Sequence, residues 1–198
     1  MRIKSILMAV FLTVILLDFP ACNKLENLSE SGSALIVTLI TGTDLQGNPG
    51  SNTIFSDVIT STGSIINDTA AATLTTVLLD PTQTTGTFYQ DIIVDQVDVE
   101  YTRSDIPGAQ PGVDVPFGFT QKVYVRVAVG DIIEMPFVLV QHVAKLESPL
   151  VELINLGQEV VLKMEAKCTF YGKDVGGHRV ATVVGHVSVW FANFADTN

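Results

Sequence analysis

Basic residues are scarce in this chain. Eleven Lys and Arg stand against 21 Asp and Glu in 198 residues, a formal net charge of −10. Beyond Arg2 and Lys4 the bases form no cluster. Phosphate backbones are held by concentrated Lys and Arg, so no nucleic-acid partner is expected. Cysteine is scarcer still: Cys22 and Cys168 are the only two, and no Cys-x-x-Cys occurs. The chain also lacks His-Glu-x-x-His, Gly-x-Ser-x-Gly and a phosphate-cradling glycine loop, which removes the common signatures of metallohydrolases, serine hydrolases and nucleotide-binding folds. His142, His178 and His186 are too dispersed to share a zinc ion without ligands from a further element. No metal or other cofactor is expected. The longest apolar run, residues 6–17, is too short for a permanent transmembrane helix.

What the chain has instead is alternation. Over residues 160–171, Val160, Leu162, Met164, Ala166, Cys168 and Phe170 share one face, with Lys163, Glu165, Lys167 and Tyr171 among those opposite. A period of two marks a half-buried antiparallel strand. After a turn at Asp174-Val175-Gly176-Gly177, a second run places Val183, Val187, Val189 and Phe191 on one face. A two-residue loop at Val175-Gly176 sets Val183 opposite Cys168, Val187 opposite Met164 and Val189 opposite Leu162. A one-residue slip would carry one apolar set into water, so the pattern fixes the parity of the pairing.

Further strands are predicted at residues 34–41, 72–79, 91–103, 121–129 and 132–144. The third carries a bulge near Asp95-Gln96, where its apolar parity switches, and Pro136 places the last at a sheet edge. Ser148-Pro149 and Gly157 bracket a short apolar helix over 149–156. The heptapeptides Gly42-Thr43-Asp44-Leu45-Gln46-Gly47-Asn48 and Gly172-Lys173-Asp174-Val175-Gly176-Gly177-His178 read as one turn design used twice, the aspartate closing the turn through its side chain. Eight or nine strands without long helices imply an all-β chain: a single antiparallel β-sandwich of immunoglobulin-like architecture over residues 34–198, with one short helix.

Residues 1–21 have the form of an export signal, with Arg2 and Lys4 preceding the apolar run. At its end, Phe19-Pro20-Ala21-Cys22 resembles the lipobox of bacterial lipoproteins. That resemblance implies cleavage before Cys22, lipid on its sulfur and an acylated amine. The polar segment 22–33 is then a tether, and Asn23 does not look like the aspartate that retains many such lipoproteins in the inner membrane. The expected location is the bacterial cell envelope, lipid-anchored in the outer membrane, or secretion if Cys22 stays unmodified.

These features favour a non-enzymatic binding, adhesion or assembly module, with an envelope protein or glycan as partner. One alternative is a small envelope glycan hydrolase using Asp98 and Glu100, roughly 7 Å apart on one strand face. Gln96 and Thr102 alongside make that face a solvated one, so no catalytic site is assigned. Another alternative is a fimbrial-type subunit exchanging the β-prone run 34–41 between copies. Trp190, the only tryptophan, shares the outward face of its strand with His186 and Ser188. Trp190 and His186 are the candidate ligand or partner surface; the reading preferred for Trp190 is instead a covered, structural indole, with the helix over 149–156 packing across Trp190 and Val161.

Overall fold

The computed structural model describes residues 31–44, 48–180 and 182–194. The export signal, Cys22 and most of the tether lie outside the described residues. Nine strands are described: β1 (Ser33–Thr43), β2 (Pro49–Ser51), β3 (Thr53–Asp57), β4 (Asp68–Leu78), β5 (Ile92–Thr102), β6 (Phe119–Val127), β7 (Ile132–Val140), β8 (Leu162–Asp174) and β9 (Val183–Ala192). They form a four-stranded sheet, β2-β1-β4-β7, and a five-stranded sheet, β3-β9-β8-β5-β6. The chain is an all-β sandwich. Two face-to-face sheets with β4 beside β7 in one and β9-β8-β5-β6 in the other give an arrangement of immunoglobulin-like kind. One pairing departs from the antiparallel rule: β3 runs parallel to β9, with Phe55 beside Trp190.

Inward-facing side chains of both sheets make one core. Leu35, Ala72, Leu74, Met135, Phe137 and Leu139 come from the first sheet, and Val97, Val99, Met164, Cys168, Phe170, Val189 and Phe191 from the second. The bulge in β5 falls between Val94 and Gln96, so Ile92 and Val94 stay buried on one side of it and Val97 and Val99 on the other. β7 is an edge strand, as Pro136 requires. The Gln121 side chain bonds both the carbonyl and the N–H of Val138, standing in for a missing strand and closing that edge to another chain.

The β8–β9 hairpin keeps the expected parity but not the expected register. Val183 pairs with Phe170, Val187 with Ala166 and Val189 with Met164, each displaced by two positions along β8. The tip explains half of this. Asp174 N–H donates to the His178 carbonyl, Gly177 N–H donates to Asp174, and Gly177 has φ +91°. That is a three-residue loop closed by a left-handed glycine. A second irregularity separates Lys173↔Arg179 from Phe170↔Val183. Two one-residue additions cancel in parity, so the apolar face survives. The turn repeat closes in the same way twice: Asp174 Oδ1 accepts His178 N–H at 2.8 Å, and Asp44 Oδ1 accepts Asn48 N–H at 2.8 Å. Leu45, Gln46 and Gly47 lie outside the described residues.

Two further expectations are corrected. The fold begins before residue 34: Ser31 and Ser33 are buried, and Ser33 Oγ donates to the Gln90 carbonyl at 2.6 Å. The short apolar helix is a 3-10 turn, Val151–Asn155, and it does not cross Trp190. Leu150 and Leu153 are buried in the sandwich core, and the turn is tied to the end of β9 by Asn193 Nδ2 donating to the Ile154 carbonyl at 2.8 Å. Plugging the open space between the sheets removes more apolar area from water than lying on a polar outer face would.

At the same end lies a buried polar group that the sequence did not signal. The Lys145 side chain is fully buried; its Nζ donates to the Asp57 carbonyl at 2.7 Å and to Asp68 Oδ1 at 3.0 Å. Burial raises the Asp68 pKa above the usual carboxylate value, and the Lys145 charge and the Ser56 hydroxyl pull it part of the way back.

Cys168 is fully buried, and burial pushes its thiol pKa up to about 12. It should be inert to a thiol reagent in the folded protein. Cys168→Ser should cost about 1–3 kcal/mol in a denaturant titration, with Cys168→Ala milder. Rapid labelling under native conditions would contradict this packing.

Candidate functional site

Alternation along β8 and β9 sends one set of side chains to the outer face of the five-stranded sheet. The register pairs Lys163 with Trp190, Glu165 with Ser188 and Lys167 with His186. Lys163 Nζ sits 4.1 Å from the Trp190 ring centroid, a cation–π contact. Phe55, on the neighbouring parallel strand, meets the indole edge-on at 5.5 Å and also packs against Phe194 at 5.6 Å. Trp190 is therefore half-buried, and its cover comes from Phe55 and Lys163 rather than from residues 149–156.

Beside the indole is an open cleft of about 270 Å³ whose lining includes Thr102, Arg103, Ser104, Lys163, Glu165 and Trp190. Arg103 is held by a two-point contact with Asp105, at 3.0 and 2.6 Å. The cleft thus brings an aromatic surface, two cations, the Glu165 carboxylate and the hydroxyls of Thr102, Ser104 and Ser188 together.

Trp190 and His186 share the outer face but line different hollows. His186 Nδ1 lies 2.8 Å from Glu165 Oε1, and His186 lines a second groove of about 420 Å³ between β1 and β9 together with Val37, Leu39 and Val184. Glu165 and Ser188 stand between the two positions. The other histidines also have local partners, His142 with Asn67 and His178 with Asp174. Among the described residues no three His, Cys, Asp or Glu side chains form a group able to hold a metal ion.

Asp98 and Glu100 do share the outer face of β5. Burial acts to raise the Asp98 pKa, but hydrogen bonds from Thr120, Gln96 and Tyr171 and the Lys122 charge outweigh it, leaving the carboxyl below its usual value. In a glycosidase pair one carboxyl is held protonated and the other ionised, so Asp98 fits only the ionised role. Glu100 is paired with Lys167 at 2.9 Å. Residues 34–41 lie within β1, paired along β4 of the same chain.

Sequence reasoning missed Phe55 and Arg103. Nothing local announces a parallel pairing between strands so far apart in the chain, and Arg103, read as the last residue of the strand 91–103, gave no sign that its side chain would line a cleft beside Trp190. No protein-family model matches this chain, and no curated protein matches it in sequence.

Proposed function

We propose that this protein is a lipid-anchored β-sandwich of the bacterial cell envelope that works by binding, without catalysis, through the outer face of its five-stranded sheet around Trp190. The observation carrying this reading is the partly buried indole at the lip of a cleft supplied with Lys163, Arg103, Thr102 and Ser104. An indole at the lip of a cleft meets sugar rings and apolar side chains, while the flanking donors orient polar groups. The lipobox-like end of the export signal supports envelope anchoring through Cys22. Asp98 accepts hydrogen bonds from Thr120 and Gln96 and Glu100 is paired with Lys167, so neither carboxyl is arranged as the proton donor a hydrolase needs.

Fluorescence of the single tryptophan tests the binding face. Titrating the detergent-solubilised full chain with fragments of envelope glycan or with peptides should shift or quench the Trp190 emission for the class it binds. Trp190→Ala should weaken that binding by about 2 kcal/mol, as for a central contact residue. Binding that leaves the emission unchanged and survives Trp190→Ala would place the site elsewhere.

A further inference from the structure

Topology gathers at one end of the sandwich the chain entry at Ser31, the end of β4, the 3-10 turn Phe88–Gln90, the β6–β7 turn and the β8–β9 tip. Ile92 pairs with both Val127 and Asp174, Ser33 with Leu78, and Thr75 with Ile132. Hydrogen bonds knit these pieces together: Leu79 N–H donates to the Gly32 carbonyl at 3.0 Å, and Gly176 N–H donates to the Tyr89 carbonyl at 3.3 Å. Four large apolar side chains there stand in solvent: Leu79 at 61% exposure, Phe88 at 55%, Tyr89 at 69% and Ile132 at 73%.

The charges at this end are arranged around that apolar group. The Arg126 guanidinium lies over the Phe88 ring, 4.7 Å from its centroid, and pairs with the buried Asp91 at 2.9 Å. Lys173 and Arg179 face each other at the hairpin tip, both exposed. Asp174 is buried and bonded to His178, which leaves Asp80 and Asp131 as the exposed acids among the described residues of these turns. Exposed aromatic and aliphatic groups bordered by Arg and Lys are the composition that settles at a bilayer–water interface, with the rings at headgroup depth and the cationic stems snorkelling.

We propose that this end of the domain rests on the lipid surface, with Leu79, Phe88, Tyr89 and Ile132 in the headgroup region; the proposal rests on the reading of Cys22 as the lipid anchor. The reach of the chain sets the orientation. From Cys22 to Ser31 are nine steps of chain, which extend at most about 30 Å. The sandwich is longer than that: β8 alone has thirteen residues, about 40 Å of strand. An inverted domain would lift Ser31 beyond the reach of its own anchor. Val113 and Phe117, equally exposed at the opposite end, are thereby kept off the bilayer. The same orientation turns the Trp190 cleft outward, since Trp190 pairs near the start of β8, at the end away from Ser31.

Depth-dependent quenching tests this. The full chain carrying Trp190→Phe would bear Phe88→Trp, Leu79→Trp or Phe117→Trp, and each would be reconstituted into phosphatidylethanolamine–phosphatidylglycerol vesicles. The vesicles would contain lipids brominated about 5–10 Å below the interface, the depth of interfacial side chains. Emission from Phe88→Trp and Leu79→Trp should fall against unbrominated vesicles, while Phe117→Trp and the native Trp190 should be unchanged. Equal emission from Phe88→Trp and Leu79→Trp in both vesicle types, with the protein in the vesicle fraction, overturns the proposal and leaves anchoring intact. A wild-type chain that partitions no better than Cys22→Ala overturns the anchoring reading, and the proposal with it.

Discussion

Lys145→Met should lower the unfolding free energy by about 3–5 kcal/mol, the cost of stranding one member of a buried ion pair. A domain of this size has a total of about 5–15 kcal/mol to lose from, so the effect should appear as a large fall in the guanidinium midpoint. Lys145 has no exposed side-chain surface, and its ammonium is 3.0 Å from each Asp68 oxygen and 2.7 Å from the Asp57 carbonyl. Methionine fills much of the same space but leaves a carboxylate and a carbonyl facing an apolar group. Lys145→Met with Asp68→Leu should recover part of the loss, because removing both charges removes the desolvation penalty. A single Lys145→Met variant within about 1 kcal/mol of wild type at neutral pH would mean the ammonium is solvated in solution.

Acid dependence gives the same pair a second readout. The folded pKa of Asp68 is raised by burial, so the folded state binds this proton more tightly than the unfolded chain. The sign follows: stability from this group is greatest with the carboxyl protonated and falls as pH rises from the ordinary carboxylate value through the raised one. Without Lys145 the opposing pull is gone and the window moves upward. The deficit of Lys145→Met relative to wild type should therefore shrink on acidification from neutral pH. A deficit that is constant with pH would remove Asp68 as its cause.

Strand parity was legible because it is written into every second residue. The alternation in β8 and β9 placed Cys168, Val187 and Val189 inward, and the switch at Asp95-Gln96 located the bulge in β5. Register was not legible, because it depends on loop geometry: a left-handed Gly177 and a second irregularity between the Lys173↔Arg179 and Phe170↔Val183 pairs each add one position, and parity cannot count pairs of additions. Lys145 gave no signal because its surroundings, Asp57 and Asp68, come from strands far away in sequence. The candidate site was half legible. Trp190 lies on the outward face its parity required, but its neighbours Phe55 and Arg103 reach it across a parallel pairing and from the end of a separate strand, and local patterns do not encode which strands become neighbours.

Phe170→Ala should cost about 3–5 kcal/mol, as large-to-small changes at fully enclosed aromatic positions do. Phe170 has no exposed surface and stands on β8 of the five-stranded sheet. Its ring meets Phe137, from β7 of the other sheet, edge-on at 5.7 Å. The pair is thus a contact between the two layers, and no neighbour on the same sheet can move into the space left by the lost ring without breaking ladder hydrogen bonds. A double-mutant cycle with Phe137→Ala should return a coupling of about 0.5–1.5 kcal/mol beyond simple burial. Phe117→Ala, at an exposed loop position, should stay within about 0.5 kcal/mol of wild type. Tyr171, the next residue on β8, points to the outer face and bonds Asp98, so Tyr171→Ala serves as the parity control in denaturant titration: it should be milder than Phe170→Ala. Equal losses at the two positions would mean that β8 does not present one face to the core and the other to the binding surface, and both the sandwich packing and the placement of Trp190 would have to be redrawn.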